Sequence, residues 1–278
     1  TKTIFPRGNS IEYIFDDQEP DPRAQGNLRQ VIRRTAQGAE LITRFSYESR
    51  FNQTQTIIDA AGRTTQFFFD YQEPSLGDLN NDNYTGGDSG DIVKVVYPTV
   101  TSGLSAQNGA QIIEAKFWYN QYGQITRSIN PENYITTYSY YATGTSNGYL
   151  ETITRDFGSG VDPKTIRPYA NIINRFEYNS VGNVTRSFDG KDNPTAFTVN
   201  ELNQITETIS RGPGYRVRFQ YDANDNIERI ETENRDAIPD PANPGLMPAW
   251  LTTTYGYDIL DNLTLKKEQG TSSKYIQT

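Results

Sequence analysis

The chain has no cysteine and no histidine in 278 residues, and a single methionine. Without cysteine there are no disulfides, no thiolate nucleophile and no sulfur-held zinc or iron. Without histidine the usual general base near neutral pH, the Ser-His-Asp relay and the commonest transition-metal ligand are gone. What remains for catalysis is a carboxylate pair or a Ser-Lys arrangement, and no spacing among the 34 Asp and Glu singles one out. Most of these acids stand in turn-forming surroundings, where capping and local hydrogen bonds account for them. Long apolar runs are also missing, since no window nears the roughly 18 to 20 residues of a spanning helix. Positive charge is short as well, with 26 Lys and Arg against 34 acids and a net charge of −8. That balance argues against nucleic acid or an anionic membrane as partner. The expectation is a protein that is not an enzyme, does not bind nucleic acid and does not insert into membranes.

What is abundant is aromatic: 19 Tyr and 13 Phe in a chain only 35% hydrophobic. They recur in a fixed phrase, an aromatic pair, an Asn or Asp, a short turn ending in Asn or Gln, then an apolar residue. Phe176, Tyr178, Asn179, Gly182, Asn183 and Val184 give its clearest form. Phe219-Tyr221-Asp222 with Asp225-Asn226-Ile227, Tyr255-Tyr257-Asp258 with Asp261-Asn262-Leu263, and Phe117-Tyr119-Asn120 with Gly123-Gln124-Ile125 repeat it. Phe197-Val199-Asn200 with Asn203-Gln204-Ile205 carries Val in place of the second aromatic, and Phe45-Tyr47-Glu48 with Asn52-Gln53-Thr54 has one extra turn residue. A further copy begins at Tyr13, Phe15 and Asp16 and resumes at Gly26, Asn27 and Leu28.

Tyr178 to Val199 is 21 residues, Val199 to Tyr221 is 22, and Tyr119 to Tyr140 is 21. Such a unit holds two short strands: Val184–Phe188 and Thr195–Val199 are rich in β-branched and aromatic residues. Between them Asp189-Gly190-Lys191-Asp192-Asn193-Pro194 is turn chemistry, with Asp59–Gly62 and Asn130–Asn133 in the same place elsewhere. Gly, Asn or Asp four residues after the tyrosine, one later in the Tyr47 copy, predicts positive φ there. Phe176 with Tyr178, and Phe219 with Tyr221, share a strand face and predict an aromatic ladder from hairpin to hairpin. A lone hairpin is marginal in water, so the units must lie side by side. The predicted fold is all-β: antiparallel hairpin repeats of about 21 residues forming a long coiled strip, with irregular insertions at about 17–25, 71–116, 141–175 and 231–250. Residues 1–278 read as one array, a fragment of a larger protein.

One insertion suggests a ligand. Asp78, Asn80 and Asp82 alternate as the opening ligands of a calcium loop do, and Tyr84, Asp88 and Asp91 complete the candidate set. The twelfth position, where such a loop wants an acid, is Ser89. The Asn-x-Ser/Thr sites at Asn52, Asn83, Asn183 and Asn262 are mostly products of the repeat turn. Trp118 and Trp250 read as strand-start packing ahead of ligand anchors.

In these copies, above all Tyr178-Asn179 through Gly182-Asn183, Tyr221-Asp222 through Asp225-Asn226 and Tyr257-Asp258 through Asp261-Asn262, the chain resembles the YD repeats of Rhs polymorphic toxins, Tc toxin shell components and teneurins. The resemblance covers most of the chain outside the insertions. It implies a spiralling β strip that builds a hollow shell, in the toxins around a cytotoxic C-terminal domain, and no catalysis by the repeats. The family's Asp-Pro-x-Gly core motif is unmatched, since Asp240-Pro241 is followed by Ala242 and Asn243. The implied role is a wall segment of a secreted or cell-surface protein, with the parent's remaining YD repeats as partners and a toxin or other cargo enclosed or presented. The alternative is an extracellular scaffold that recognises a glycan or protein through its insertion loops, with calcium as its only cofactor.

Overall fold

The computed structural model describes residues 1–18, 20–73, 89–99, 112–162, 167–210, 215–234 and 250–268. Among the described residues every regular element is a β-strand. The chain divides into two compact units, Thr1–Thr137 with Arg155–Ala170, and Tyr138–Thr154 with Asn171–Thr278.

The first unit opens with β1 (Lys2–Ile4), β2 (Ser10–Asp16), β3 (Asn27–Arg34), β4 (Glu40–Tyr47) and β5 (Thr54–Ile58). It continues through β6 (Thr64–Phe69), β7 (Ile92–Tyr97), β8 (Ile113–Tyr119), β9 (Ile125–Ile129) and the start of β10 (Ile135–Tyr140). Each strand pairs antiparallel with the next. After β11 (Leu150–Arg155), β12 (Val161–Asp162) and β13 (Arg167–Pro168) form a small separate sheet. The second unit carries β14 (Ile172–Tyr178), β15 (Val184–Phe188), β16 (Pro194–Val199) and β17 (Ile205–Ser210), then β18 (Tyr215–Tyr221), β19 (Ile227–Glu233), β20 (Trp250–Tyr257) and β21 (Leu263–Glu268). These too pair in sequence order. Apart from β12 and β13, the strands belong to one antiparallel sheet of 19 strands. Hairpins joined nose to tail are what short aromatic and β-branched runs between Asx and Gly turns specify.

Two of the expected insertions need correction. β7 lies inside 71–116 and pairs with β6 and β8, and β11 lies inside 141–175 and belongs to the main sheet. In the second place the residues between Tyr141 and Gly148 sit within a turn and the strand resumes after it. The described residues of 17–25 carry no strand, while β19 ends at Glu233 and β20 begins at Trp250, with 235–249 outside the described residues.

Alternation sorts the side chains of the second unit onto two faces. Phe176, Tyr178, Phe197, Val199, Val217, Phe219 and Tyr221 share one, by cross-strand register. Glu177, Arg186, Glu207 and Arg218 share the other, where Glu207 and Arg218 stand opposite each other with Nε to Oε1 at 2.9 Å. Arg175 covers the Phe188 ring at 4.0 Å and Arg218 the Trp250 ring at 4.2 Å on that face. The described residues of the second unit include none that is fully buried. In the first unit Val31, Ile32, Phe69, Val93, Val95, Ala115 and Trp118 are buried, Val93 completely at 0% exposure.

Candidate functional site

In each unit the turns alternate between two edges of the sheet. The turns that follow the repeat tyrosine position, held by Phe15, Phe69 and Val199 in three copies, lie along one edge, four in the first unit and five in the second. Their construction is uniform. In the uninterrupted copies the residue after the strand is Asn120, Asn179, Asn200, Asp222 or Asp258. Its Oδ1 accepts the N–H groups two and four residues on, as Val181 and Asn183 donate to Asn179 at 3.1 and 2.9 Å. Asn179 N–H donates to the Asn183 carbonyl at 2.9 Å, and Gly182 N–H to the Asn179 carbonyl at 3.2 Å. The closing residue takes positive φ in every copy: Gly123, Gly182, Asn203, Asp225 and Asp261, and Asn52 in the longer turn. This is a type I turn closed by a left-handed residue, followed by a bulge that twists the next strand. The bulge falls between Glu177 and Tyr178 and at the same point in each of these hairpins.

The Glu48 turn is one residue longer and its acid one methylene longer. Glu48 N–H donates to the Gln53 carbonyl at 2.9 Å. Its carboxylate accepts N–H from Arg50, Phe51 and Gln53 at 2.6 to 3.1 Å and the Tyr71 hydroxyl. Burial pushes this carboxyl up, and these donors outweigh burial and hold it below the ordinary Glu value. The Tyr71 hydroxyl is pushed up by burial and then by Glu48.

Three insertions are closed by a positive-φ glycine in the same place, two through the opening carbonyl and one through the Asp70 carboxylate. Gly26 N–H donates to the Asp16 carbonyl and Gly148 N–H to the Tyr141 carbonyl, both at 2.8 Å. Asp70, 1% exposed, donates its N–H to the Asp91 carbonyl at 2.9 Å. Its carboxylate accepts Ser89 N–H at 2.9 Å and Gly90 N–H at 3.1 Å. Gly26, Gly90 and Gly148 all have positive φ. Phe67, Phe69 and Asp70 with Gly90, Asp91 and Ile92 are thus another copy of the repeat, split by the residues between Asp70 and Gly90. An aromatic-x-aromatic-Asp ahead of a distant Gly-Asp-Ile was the signal for it.

The tyrosines act through their hydroxyls. Tyr47 donates to the Leu28 carbonyl at 3.0 Å, Tyr119 to Ile92 at 2.8 Å, Tyr178 to Leu150 at 2.9 Å, Tyr221 to Ile205 at 2.8 Å and Tyr257 to Ile227 at 2.9 Å. Every acceptor is the residue that opens the strand after the preceding tyrosine-edge turn, or the second residue of that strand in the case of Leu28. Each tyrosine therefore clasps its turn to the one before. Tyr119 is pushed up to about 12 by burial first and then by the Asp91 and Asp70 carboxylates. Tyr178, Tyr221 and Tyr257 are raised by burial in the first place. A second row of bonds runs outside the clasps: Asn183 to Asn203 at 2.7 Å, Gln204 to Asp225 at 2.7 Å and Asn226 to Asp261 at 2.8 Å. Asn27 and Asn52 exchange bonds of 2.6 and 3.0 Å in the first unit.

The expected aromatic ladder takes a different form. The ring pairs among the described residues are Phe51–Tyr71, Phe69–Tyr71, Tyr141–Tyr178 and Tyr149–Tyr178, all beside the turns. Equivalent rings of successive hairpins stand two strands apart, about 9 to 10 Å, beyond the reach of ring stacking. Trp118 lies under Arg127 at 5.2 Å and Trp250 under Arg218, so both are packed. The amides of Asn52, Asn183 and Asn262 serve the turns. Of the calcium candidates, Asp78, Asn80, Asp82, Tyr84 and Asp88, like Asn83, lie outside the described residues. Asp91 is placed, its carbonyl closing the Asp70 turn.

No protein-family profile matches this chain, and no curated protein matches it by sequence. Solved structures do. A crystal structure of TcdB2-TccC3 matches 99% of this chain over 15% of its own length, at 15% identity and a TM-score of 0.57. A crystal structure of TcdB2-TccC3 without the hypervariable C-terminal region gives the same values. The Photorhabdus luminescens Tc holotoxin pore matches 99% of this chain over 14% of its own, at 15% identity and a TM-score of 0.56. The chain has the fold of a segment of these toxin chains. At this identity the likeness is one of fold, and the chain spans about 15% of the TcdB2-TccC3 length.

Proposed function

We propose that the chain is a non-enzymatic wall segment of a secreted or cell-surface YD/Rhs-repeat protein, enclosing or presenting a toxin or other cargo. The observation that carries this reading is the tyrosine edge, where successive hairpins are fastened turn to turn by hydroxyl-to-carbonyl clasps. A sheet built so can lengthen indefinitely without a central core, as a wall requires. The turn carboxylates Asp59, Asp189, Asp222 and Asp258 are committed to backbone N–H groups, which favours structure over catalysis. The outer edges of β1 and β21 suit pairing with further YD hairpins of the parent. Electron cryomicroscopy of the full-length parent polypeptide is the test. A closed wall with density inside is expected, and an open strip displaying its loops would overturn enclosure.

A second reading, a binding scaffold whose insertion loops meet a glycan or protein with calcium, draws on the Asp70 closure. It fixes the stem of the segment holding Asp78 to Asp88 to the sheet. Calcium that orders this segment would raise the melting temperature with concentration as RT ln(1 + [L]/Kd), and magnesium would not substitute. Unchanged melting in millimolar calcium would remove this reading.

A further inference from the structure

The clasp has a gap in the second unit. Position 199 pairs with Ile205 as Tyr178 pairs with Val184, Tyr221 with Ile227 and Tyr257 with Leu263. By this register it is a tyrosine position, and the sequence places Val199 there. The carbonyl that a tyrosine at 199 would reach is that of Val184, the first residue of β15 after the preceding turn. Valine has neither ring nor hydroxyl, and the space stays open as a notch of about 400 Å³. Its walls are Phe176, Val184, Phe197 and Val199, with Asn183 and Asn203 on the rim. Those two amides bond each other at 2.7 Å, so the turn-side wall is already fixed.

We propose that the Val199 notch is a binding site for the phenol ring of a tyrosine side chain carried by an extended polypeptide. The neighbouring hairpins show what the notch fits. In each, a phenol ring occupies the corresponding place and donates to the corresponding carbonyl, at 2.9 Å for Tyr178 and 2.8 Å for Tyr221. The guest ring lies against Phe176 and Phe197, and its hydroxyl donates to the Val184 carbonyl. Phenylalanine fills the same walls without that bond and binds less tightly. The notch opens on the apolar face of the sheet, so the guest's backbone stays outside it. The site exists whether the strip lines a shell or stands open, and it does not rest on the wall reading.

The test uses the intact chain and N-acetyl-tyrosinamide, followed by saturation-transfer NMR, with N-acetyl-phenylalaninamide as competitor. One site is expected, with the phenylalanine compound several-fold weaker. Val199→Tyr supplies the missing ring from within, abolishes binding and raises the melting temperature, whereas a merely misfolded variant would melt lower. Tyr221→Val opens a second notch against the Ile205 carbonyl and doubles the number of rings bound. Binding unchanged in Val199→Tyr, equal affinity for the two compounds, or a folded Tyr221→Val with a single site would each overturn the assignment.

Discussion

The two units are built from the same hairpin, yet among the described residues one contains a buried core and the other does not. In the first unit β7 and its neighbours bury Phe69, Val93, Val95, Ala115 and Trp118. In the second, the apolar face of Phe176, Phe197 and Phe219 stays half-exposed along its length. The second unit shows how little burial the repeat needs once its turns are fastened to each other. The first shows what a split turn adds, since the Asp70 closure brings Gly90 and Ile92 to the edge and seats Val93 in the bulge.

Core substitutions probe this contrast most strongly. Phe69→Ala removes a ring that is 1% exposed and is expected to cost about 3 to 5 kcal/mol. Phe219→Ala in the second unit should cost less than half as much. Urea unfolding with hydrogen exchange resolved by unit measures both, and equal losses would break the distinction. Turn substitutions come next. Gly182 has φ 92° and a Cβ there would meet the Tyr149 hydroxyl at 2.6 Å, whereas Gly123 has φ 74° and open space. Both changes to alanine incur about 1 kcal/mol or more for the left-handed backbone, and Gly182→Ala should exceed Gly123→Ala in thermal unfolding. Tyr221→Phe removes one clasp hydrogen bond and should cost about 1 kcal/mol, read as faster exchange at Ile205 and Tyr221 but not in the first unit.

The subtlest difference is in alkali. A tyrosine whose folded pKa is raised stabilises the fold fully below its ordinary value of 10.0, and that stability is lost as pH rises through the folded value. For Tyr119 the folded value is about 12, so the folded first unit keeps this hydroxyl protonated to about pH 12 while its contribution to stability falls across the window from pH 10 to 12. Ultraviolet titration at 295 nm should find a late-ionising tyrosine that Tyr119→Phe removes. The acid side has the opposite sign. Asp189 and Asp258, held low by Asn193 and Asn262 side chains first and N–H groups next, stabilise above the ordinary Asp value of 3.8 and lose that contribution as pH falls below it.

The turns were legible in the sequence because positive φ restricts the residue to Gly, Asn or Asp, so Gly182, Asn203, Asp225 and Asp261 announced their backbone directly. The clasps were not. An acceptor such as the Leu150 carbonyl is 28 residues from Tyr178, and only the strand pairing brings it near. The ladder of stacked rings failed for the converse reason: the spacing gave the shared face correctly but not the strand that stands between equivalent rings. The Val199 notch was visible only as a missing tyrosine, which has meaning once the place of the other tyrosines is known. Which unit would bury a core was hidden too, since Phe67-Phe68-Phe69 and Phe117-Trp118-Tyr119 read much like any other aromatic strand.

The common closure makes the strip's turns work as sockets. Two residues stand between Asn179 and Gly182, six between Tyr141 and Gly148, nine between Asp16 and Gly26, and nineteen between Asp70 and Gly90, yet the strands on either side keep their register. Loop entropy grows only logarithmically, so going from two residues to nineteen costs about 2 kcal/mol. A foreign segment spliced between an acceptor such as Tyr141 and its closing glycine should therefore leave the sheet undisturbed, so turn length and sheet register can change independently.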